Sequence, residues 1–182
     1  RNGQPRKWWH DEVVYEIYVP SFKDSNSDGI GDFNGIRESL SYIKKLGVGC
    51  IWLTPIMKSP FVDCGYDCSD HYTVNPDYGT MSDFENLVDE VHIMGMKIIL
   101  DIVPGYVSAE HSWFQQARQN RQAKTRDYFV WAPGKNGGPP NNWLSSFGGP
   151  GWEYDRYLNK YYFHIFEKHQ PDLNWRNPEL RA

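Results

Sequence analysis

The sequence predicts an α/β fold built on parallel strands, and three observations carry that prediction. Residues 97–103 (KIILDIV) form a short apolar, mostly β-branched run between Gly95 and Pro104-Gly105, the pattern of a strand buried on both faces. Two amphipathic helical stretches each end at a glycine and lead straight into an apolar run, giving β-α-β-loop-α-β with lengths that suit parallel crossovers. After Val103 this rhythm lapses into short aromatic segments separated by Gly, Pro, Asn and Ser, a small β-rich excursion.

In chain order, Trp8-Trp9 precede a first strand, Val13–Val19, closed by Pro20. Asn34–Leu46 reads as a helix with Ile36, Leu40, Ile43 and Leu46 on one face and Gly47 as its stop. Val48–Thr54 is the second strand, ended by Pro55. Thr80 opens the next helix, with Ser82 and Asp83 near its first turn as capping candidates and Phe84, Leu87, Val88 and Val91 as its inner face. Beyond the third strand, Trp113–Arg118 reads as a short helix, Arg126–Trp131 and Tyr161–Phe166 as strands, and Asn177–Leu180 as the start of a helix. No internal repeat is visible.

Composition narrows the function classes. The 182 residues suffice for one real core. A net charge of −4 without a Lys/Arg block argues against a nucleic-acid partner. No apolar run approaches membrane-spanning length, and no signal peptide is expected. Aromatic residues make up 16% of the chain, with 8 Trp and 12 Tyr, which suits either sugar-stacking platforms or an aromatic core. Of three cysteines, Cys50 sits in an apolar run as a small buried side chain, while Cys64 and Cys68 flank a turn across which they either pair or stay free. The expected location is extracellular or secreted, although no Asn-x-Ser/Thr sequon occurs.

Three stretches carry candidate chemistry. In residues 24–32 (DSNSDGIGD) oxygen-bearing side chains recur at alternate positions around Gly29, so Asp24, Asn26, Asp28, the Ile30 carbonyl and Asp32 are the expected ligands of one Ca2+. The loop departs from an EF-hand, because Gly35 stands where the bidentate Glu belongs. Tyr66-Asp67 places a stacking ring beside a hydrogen-bond acceptor, which suits a sugar or, equally, a structural tyrosine with a turn aspartate. Asp101 interrupts the third strand near its C-terminal end, where ligands of parallel sheets gather; a carboxylate there is either at a polar site or bonded to backbone.

Taken together, Trp8-Trp9, the Asp24–Asp32 loop, Gly65-Tyr66-Asp67, Tyr78-Gly79-Thr80-Met81, the Asp101 strand and Gln170-Pro171-Asp172-Leu173-Asn174 resemble the α-amylase superfamily, glycoside hydrolase family 13, in its oligo-1,6-glucosidase and maltase branch. That branch also holds the non-catalytic heavy chains of amino-acid transporters. The resemblance implies the N-terminal part of a (β/α)8 TIM barrel, about three βα units, with a β-rich domain inserted after strand three. The corresponding boundaries are 1–103 for the barrel part, 104–169 for the insert and 170–182 for the return. It implies that residues 24–32 are the family's calcium loop, that Tyr66 and Asp67 stack on and bond the non-reducing glucose, and that Asp101 is the structural aspartate of strand three.

Two departures qualify what the resemblance implies. Gly105-Tyr106 replaces the family's Asn-His, so Tyr106 is the candidate donor to the sugar. No Gly-x-Arg-x-Asp segment is present, and the pattern ends before the barrel strands that carry the nucleophile and the acid/base. Retaining glycosidases need two carboxyl groups about 5 Å apart, so no catalytic residue is expected in this chain. The expected role is α-glucoside recognition without catalysis. The alternative is a partner- or sugar-binding relative, like a transporter heavy-chain ectodomain, whose open sheet is closed by an oligomer or a protein partner.

Overall fold

The computed structural model describes residues 3 and 5–182. The chain divides into two compact units, Arg1–Ile56 with Thr73–Ile102, and Met57–Tyr72 with Val103–Ala182.

The first unit is a three-stranded parallel sheet with helices between its strands. Strands β1 (Val14–Ile17), β2 (Cys50–Leu53) and β5 (Lys97–Leu100) lie in the order β1-β2-β5, with Tyr15 beside Ile51 and Ile51 beside Ile98. Between β2 and β5 in the chain, β3 (Met57–Lys58) of the second unit and β4 (Asp70–Val74), which begins in that unit, form a separate two-stranded sheet. Helices α2 (Phe33–Lys45) and α3 (Met81–Ile93) make the β1-α2-β2 and α3-β5 connections that the glycine stops foretold. Ile36, Leu40 and Ile43 of α2 and Leu87 and Val91 of α3 are buried with Ile17, Ile51 and Leu53 of the sheet. Phe33 meets Tyr78 edge-on and Phe84 at a tilt. Polar contacts align the two helices: Arg37 Nε donates to Glu90 Oε1 at 3.0 Å, and Asn34 Nδ2 to Asp83 Oδ1 at 3.2 Å.

Each helix start has an identifiable cause. Thr80 and Asp83 form a reciprocal capping box: Thr80 Oγ1 accepts from the Asp83 amide at 3.1 Å, and Asp83 Oδ2 accepts from the Thr80 amide at 2.8 Å. Asp32 caps α2 by accepting from the Gly35 amide at 2.7 Å.

The second unit is built on an antiparallel sheet of β6 (Trp131–Ala132), β8 (Lys160–Phe163) and β7 (Trp152–Asp155), in that order. Helix α4 (Ser112–Gln119) packs Phe114 and Ala117 into a core with Val107, Phe129 and Tyr162. Arg118 of α4 pairs with the fully buried Asp155 of β7. The short helices α1 (Val19–Phe22) and α5 (Pro178–Arg181) complete the elements of the chain, apart from single 3-10 turns.

Several expectations need correction. β5 is not buried on both faces: its residues alternate between exposed and half-buried, and Ile102 just beyond it is 84% exposed, because β5 is an edge strand of this sheet. Pro20 does not close β1 but sits in the first turn of α1, where its missing amide costs nothing. Leu46 lies outside the α2 face and is exposed. Residues 126–128 belong to a 3-10 turn, Lys124–Tyr128, and only Trp131 of the expected strand enters the sheet. β8 ends at Phe163, after which Asp172 Oδ1 accepts the Ile165 amide at 2.9 Å. Cys50, Cys64 and Cys68 are all free thiols.

Candidate functional site

In the second unit, Tyr66, Asp67 and Tyr106 are brought to one region. The turn that presents Tyr66 needs left-handed backbone at Cys64 (φ 52°) and Gly65 (φ 95°), and the Tyr66 amide donates to the Asp63 carbonyl at 2.9 Å. Asp67 is fully buried. Its carboxylate accepts from Ser59 Oγ at 2.9 Å, the Val62 amide at 2.9 Å and the Asp63 amide at 3.0 Å, so it ties down the loop from Ser59 to Asp63. Gln170, also fully buried, donates from Nε2 to Asp63 Oδ2 at 2.6 Å.

Tyr106 is 8% exposed and bridges antiparallel to Asp172, with its ring 5.3 Å from that of Phe166. Burial, then the negative charges of Asp63, Asp67 and Asp172, push its hydroxyl up to about 12. The hydroxyl is protonated at physiological pH, as an ordinary tyrosine's is, and lies near these carboxylates. Burial also pushes the Asp172 carboxyl up to about 6, against the Ile165 amide that donates to it. A neutral donor beside several carboxylates is a set of groups suited to sugar hydroxyls. Sequence reasoning missed Asp63 and Phe166. Asp63 lies two residues before the glycine of the Gly-Tyr-Asp turn, but only the fold shows that Gln170 reaches it across the sequence.

Asp101 lies in the first unit, one residue past β5, and accepts from Trp52 Nε1 at 2.9 Å, fixing that indole on β2. This is a positioning role for a part-buried carboxylate.

The 24–32 loop, also in the first unit, is a series of turns closed on its own amides. Asp24 Oδ2 accepts from Gly29 at 2.7 Å and its Oδ1 from Ser27 at 2.7 Å and Asn26 at 3.0 Å. Led by the Gly29 amide, these bonds hold Asp24 below the usual carboxylate range. Asn26 Oδ1 accepts from Asp28, and Asp28 Oδ1 from Ile30. Asp32 divides its oxygens between the Ser25 and Gly35 amides. A Cβ on Gly35 would lie 2.0 Å from the Lys23 carbonyl oxygen, which explains why this position carries no side chain and hence no bidentate Glu. Among the described residues no group of three or more His, Cys, Asp or Glu side chains is gathered to hold a metal ion. The donor atoms are hard oxygens, the right chemistry for calcium, but as built they face backbone amides.

Against this geometry, comparison with known proteins is decisive for the family. The profile of the α-amylase catalytic domain matches residues 16–182. The chain belongs to the α-amylase catalytic-domain family. Within that family it is 51% identical over 176 residues to probable oligo-1,6-glucosidase 3 of Bacillus subtilis (strain 168), covering 97% of this chain and 32% of that protein. It is 48% identical over 175 residues to the trehalose-6-phosphate hydrolase of the same organism, with 96% and 31% covered. Among solved structures it superposes on Bacillus licheniformis trehalose-6-phosphate hydrolase with a TM-score of 0.93, 47% identity and coverage of 97% of this chain and 32% of that one. For isomaltulose synthase from Klebsiella sp. LX3 the values are 0.95, 45%, 98% and 32%. The chain thus spans about a third of the length of the relatives it matches. The α-amylase family assignment and its oligo-1,6-glucosidase likeness agree with what the sequence motifs imply, and the α/β core matches its structural neighbours.

Proposed function

We propose that this chain recognises an α-glucoside through the Tyr106 region of its second unit and does not by itself hydrolyse it. The observation that carries the reading is the placement of Tyr106, nearly buried, bridged antiparallel to Asp172 and packed 5.3 Å from Phe166, near enough to Asp63 and Asp67 to feel their charge. Relatives named oligo-1,6-glucosidase and trehalose-6-phosphate hydrolase support glucosides as the ligand class. Tyr66 offers a half-buried ring for stacking, and Asp67 orders the loop beside it. Asp101 has a positioning role within the first unit, where it fixes Trp52. By the same proposal, the oxygens of Asp24, Asn26, Asp28, Ile30 and Asp32 take Ca2+ as a structural ion, with Asn26 and Asp28 turned from the amides they now accept.

Titration calorimetry of the full chain with maltose and isomaltose tests the reading. Binding is expected, and Tyr106→Phe should weaken it about fivefold, the worth of one hydrogen bond of about 1 kcal/mol. The chain should release no glucose from either sugar, since the pair of carboxyl groups that retaining hydrolysis needs is not expected in it. Sustained turnover after rigorous purification, or affinity indifferent to Tyr106→Phe, would remove the proposal's basis.

A second reading is favoured by a different feature. Both outer strands of the parallel sheet are edges, with Val13 59% and Ile102 84% exposed beside them. Unpaired edges flanked by apolar side chains suit closure by a protein partner or a second copy.

A further inference from the structure

Within the second unit, β3, the first residues of β4 and the start of α4 line a cavity of about 360 Å³ that shares no wall residue with the Tyr106 region. Lys58, Asp70, Tyr72, Glu110, His111 and Ser112 are among its walls. We propose that this cavity binds a free α-amino acid in its zwitterionic form, with the carboxylate at Lys58 and the start of α4 and the ammonium at Asp70 and Glu110. The inference does not depend on α-glucoside recognition by Tyr106.

His111 is the group that asks for a ligand. It is 5% exposed, and its Nδ1 accepts the Trp113 amide at 3.1 Å. A backbone amide can only donate, so the proton of the neutral ring sits on Nε2. Among the described residues that Nε2–H meets no acceptor within hydrogen-bond distance, while the ring lines the cavity. A buried donor without an acceptor is costly, and a ligand oxygen would remove the cost. Burial, then the neighbouring His71, push the ring down to about 4, against Asp70, so near neutral pH it offers a hydrogen bond rather than a charge. Ser112 adds the first amide of the eight-residue α4, which also lacks an acceptor among the described residues.

The charges around the cavity are separated rather than paired. Lys58 and Glu110 line the same space, yet among the described residues neither takes part in an ion pair within 4 Å. Asp70 adds a second carboxylate, whose Oδ1 accepts the Tyr72 amide at 2.8 Å. One cation, two carboxylates and two neutral donors select among ligand classes. A bare anion would find the donors but be opposed by both carboxylates. A bare cation would be opposed by Lys58 and leave the His111 and Ser112 donors unused. A neutral polyol would leave the opposed charges without counter-charges. A zwitterion answers both sets at once, with charge-assisted hydrogen bonds at each end. Tyr72 is 87% exposed, which leaves its ring for the apolar side chain of the amino acid. The volume falls within the ~300–1,000 Å³ common for small-molecule sites.

The test is calorimetric titration of the full chain with L-phenylalanine near neutral pH and at low salt. Phenylpropionate, which lacks the ammonium, and phenethylamine, which lacks the carboxylate, are the control probes. Phenylalanine is expected to bind at least about tenfold tighter than either. Lys58→Gln should weaken phenylalanine about threefold to tenfold, and Glu110→Gln should do the same. Both positions are exposed, so the circular dichroism spectrum should stay unchanged. Tyr106→Phe should leave the affinity for phenylalanine unaltered, so a failure of α-glucoside binding and a failure of this cavity are told apart. Phenylpropionate binding as tightly as phenylalanine would overturn the proposal in favour of an anion site, and phenethylamine binding as tightly would do so in favour of a cation site. Affinity indifferent to both Lys58→Gln and Glu110→Gln, or no binding by any of the three probes, would overturn it too.

Discussion

The His111 side chain closes the start of α4: its Nδ1 accepts the Trp113 amide at 3.1 Å, a role that a protonated ring cannot fill. Burial, then the neighbouring His71, push His111 down to about 4, with Asp70 opposing. His71, 5.4 Å away ring to ring, is itself lowered by burial, again against Asp70. The folded state therefore binds fewer protons here than the unfolded chain, whose histidines titrate near 6.5. This contribution to stability is complete above about 6.5 and is lost as pH falls through about 4. Asp172 has the opposite sign: its raised folded value makes its contribution fall as pH rises from about 4 to about 6. The comparison with His111→Asn isolates the histidine, because asparagine keeps a side-chain acceptor at the cap but does not titrate. Urea unfolding between pH 7 and pH 4.5 should show the parent losing about 1–3 kcal/mol more than the variant. Parallel profiles would show that His111 does not titrate in this window. The sequence showed a histidine before a short helix, but nothing in it marked the burial that makes this cap pH-sensitive. The same holds for Asp67, whose place beside Tyr66 was legible while its complete enclosure by the Ser59–Asp63 loop was not.

At the scale of elements, legibility followed local chemistry. The helices α2 and α3 were readable because capping residues, apolar period and terminal glycines agree within each segment. The paired strands β3 and β4 and strand β7 were not, since two to five residues carry too little periodicity to stand out from a loop. The 24–32 loop lies between these cases: its alternating oxygens were plain in the sequence, and the structure shows each carboxylate already serving as a turn acceptor. Such a loop has two uses for its oxygens, amide capping and cation binding, and the helix cap at Asp32 must survive either one. If calcium binds, adding it in excess should raise the melting temperature, since a ligand at about 100 times its Kd contributes about 2.7 kcal/mol. A chelator should reverse the gain. Asp28→Ala should remove the response while retaining the α2 cap, because the Asp28 carboxylate accepts only the Ile30 amide among the bonds that shape the loop, whereas the cap is made by Asp32. Identical melting curves with calcium and with chelator would leave the loop as a self-capped turn.

The parallel sheet of the first unit is a whole-molecule question, because its two edges are what this chain leaves unpaired. Its expected double-sided burial failed at β5, where Ile99 is 37% exposed and Ile102 84%. An apolar run in sequence reports what a strand is built to be buried against, and three parallel strands supply only part of that surface. The apolar residues at and just beyond the β5 edge therefore resemble an interface more than a solvent face. A chain carrying such edges should associate, either with itself or with whatever completes the sheet. Sedimentation velocity over a hundredfold concentration range should show a rising weight-average mass for the parent protein. Ile102→Lys should suppress that rise, since a charge beside an edge strand opposes further pairing. It should do so without unfolding the chain, because the side chain it replaces is already in solvent. A parent mass that stays monomeric at every concentration would mean that the edge is closed by some other device, and the reading of an open sheet seeking a partner would fall.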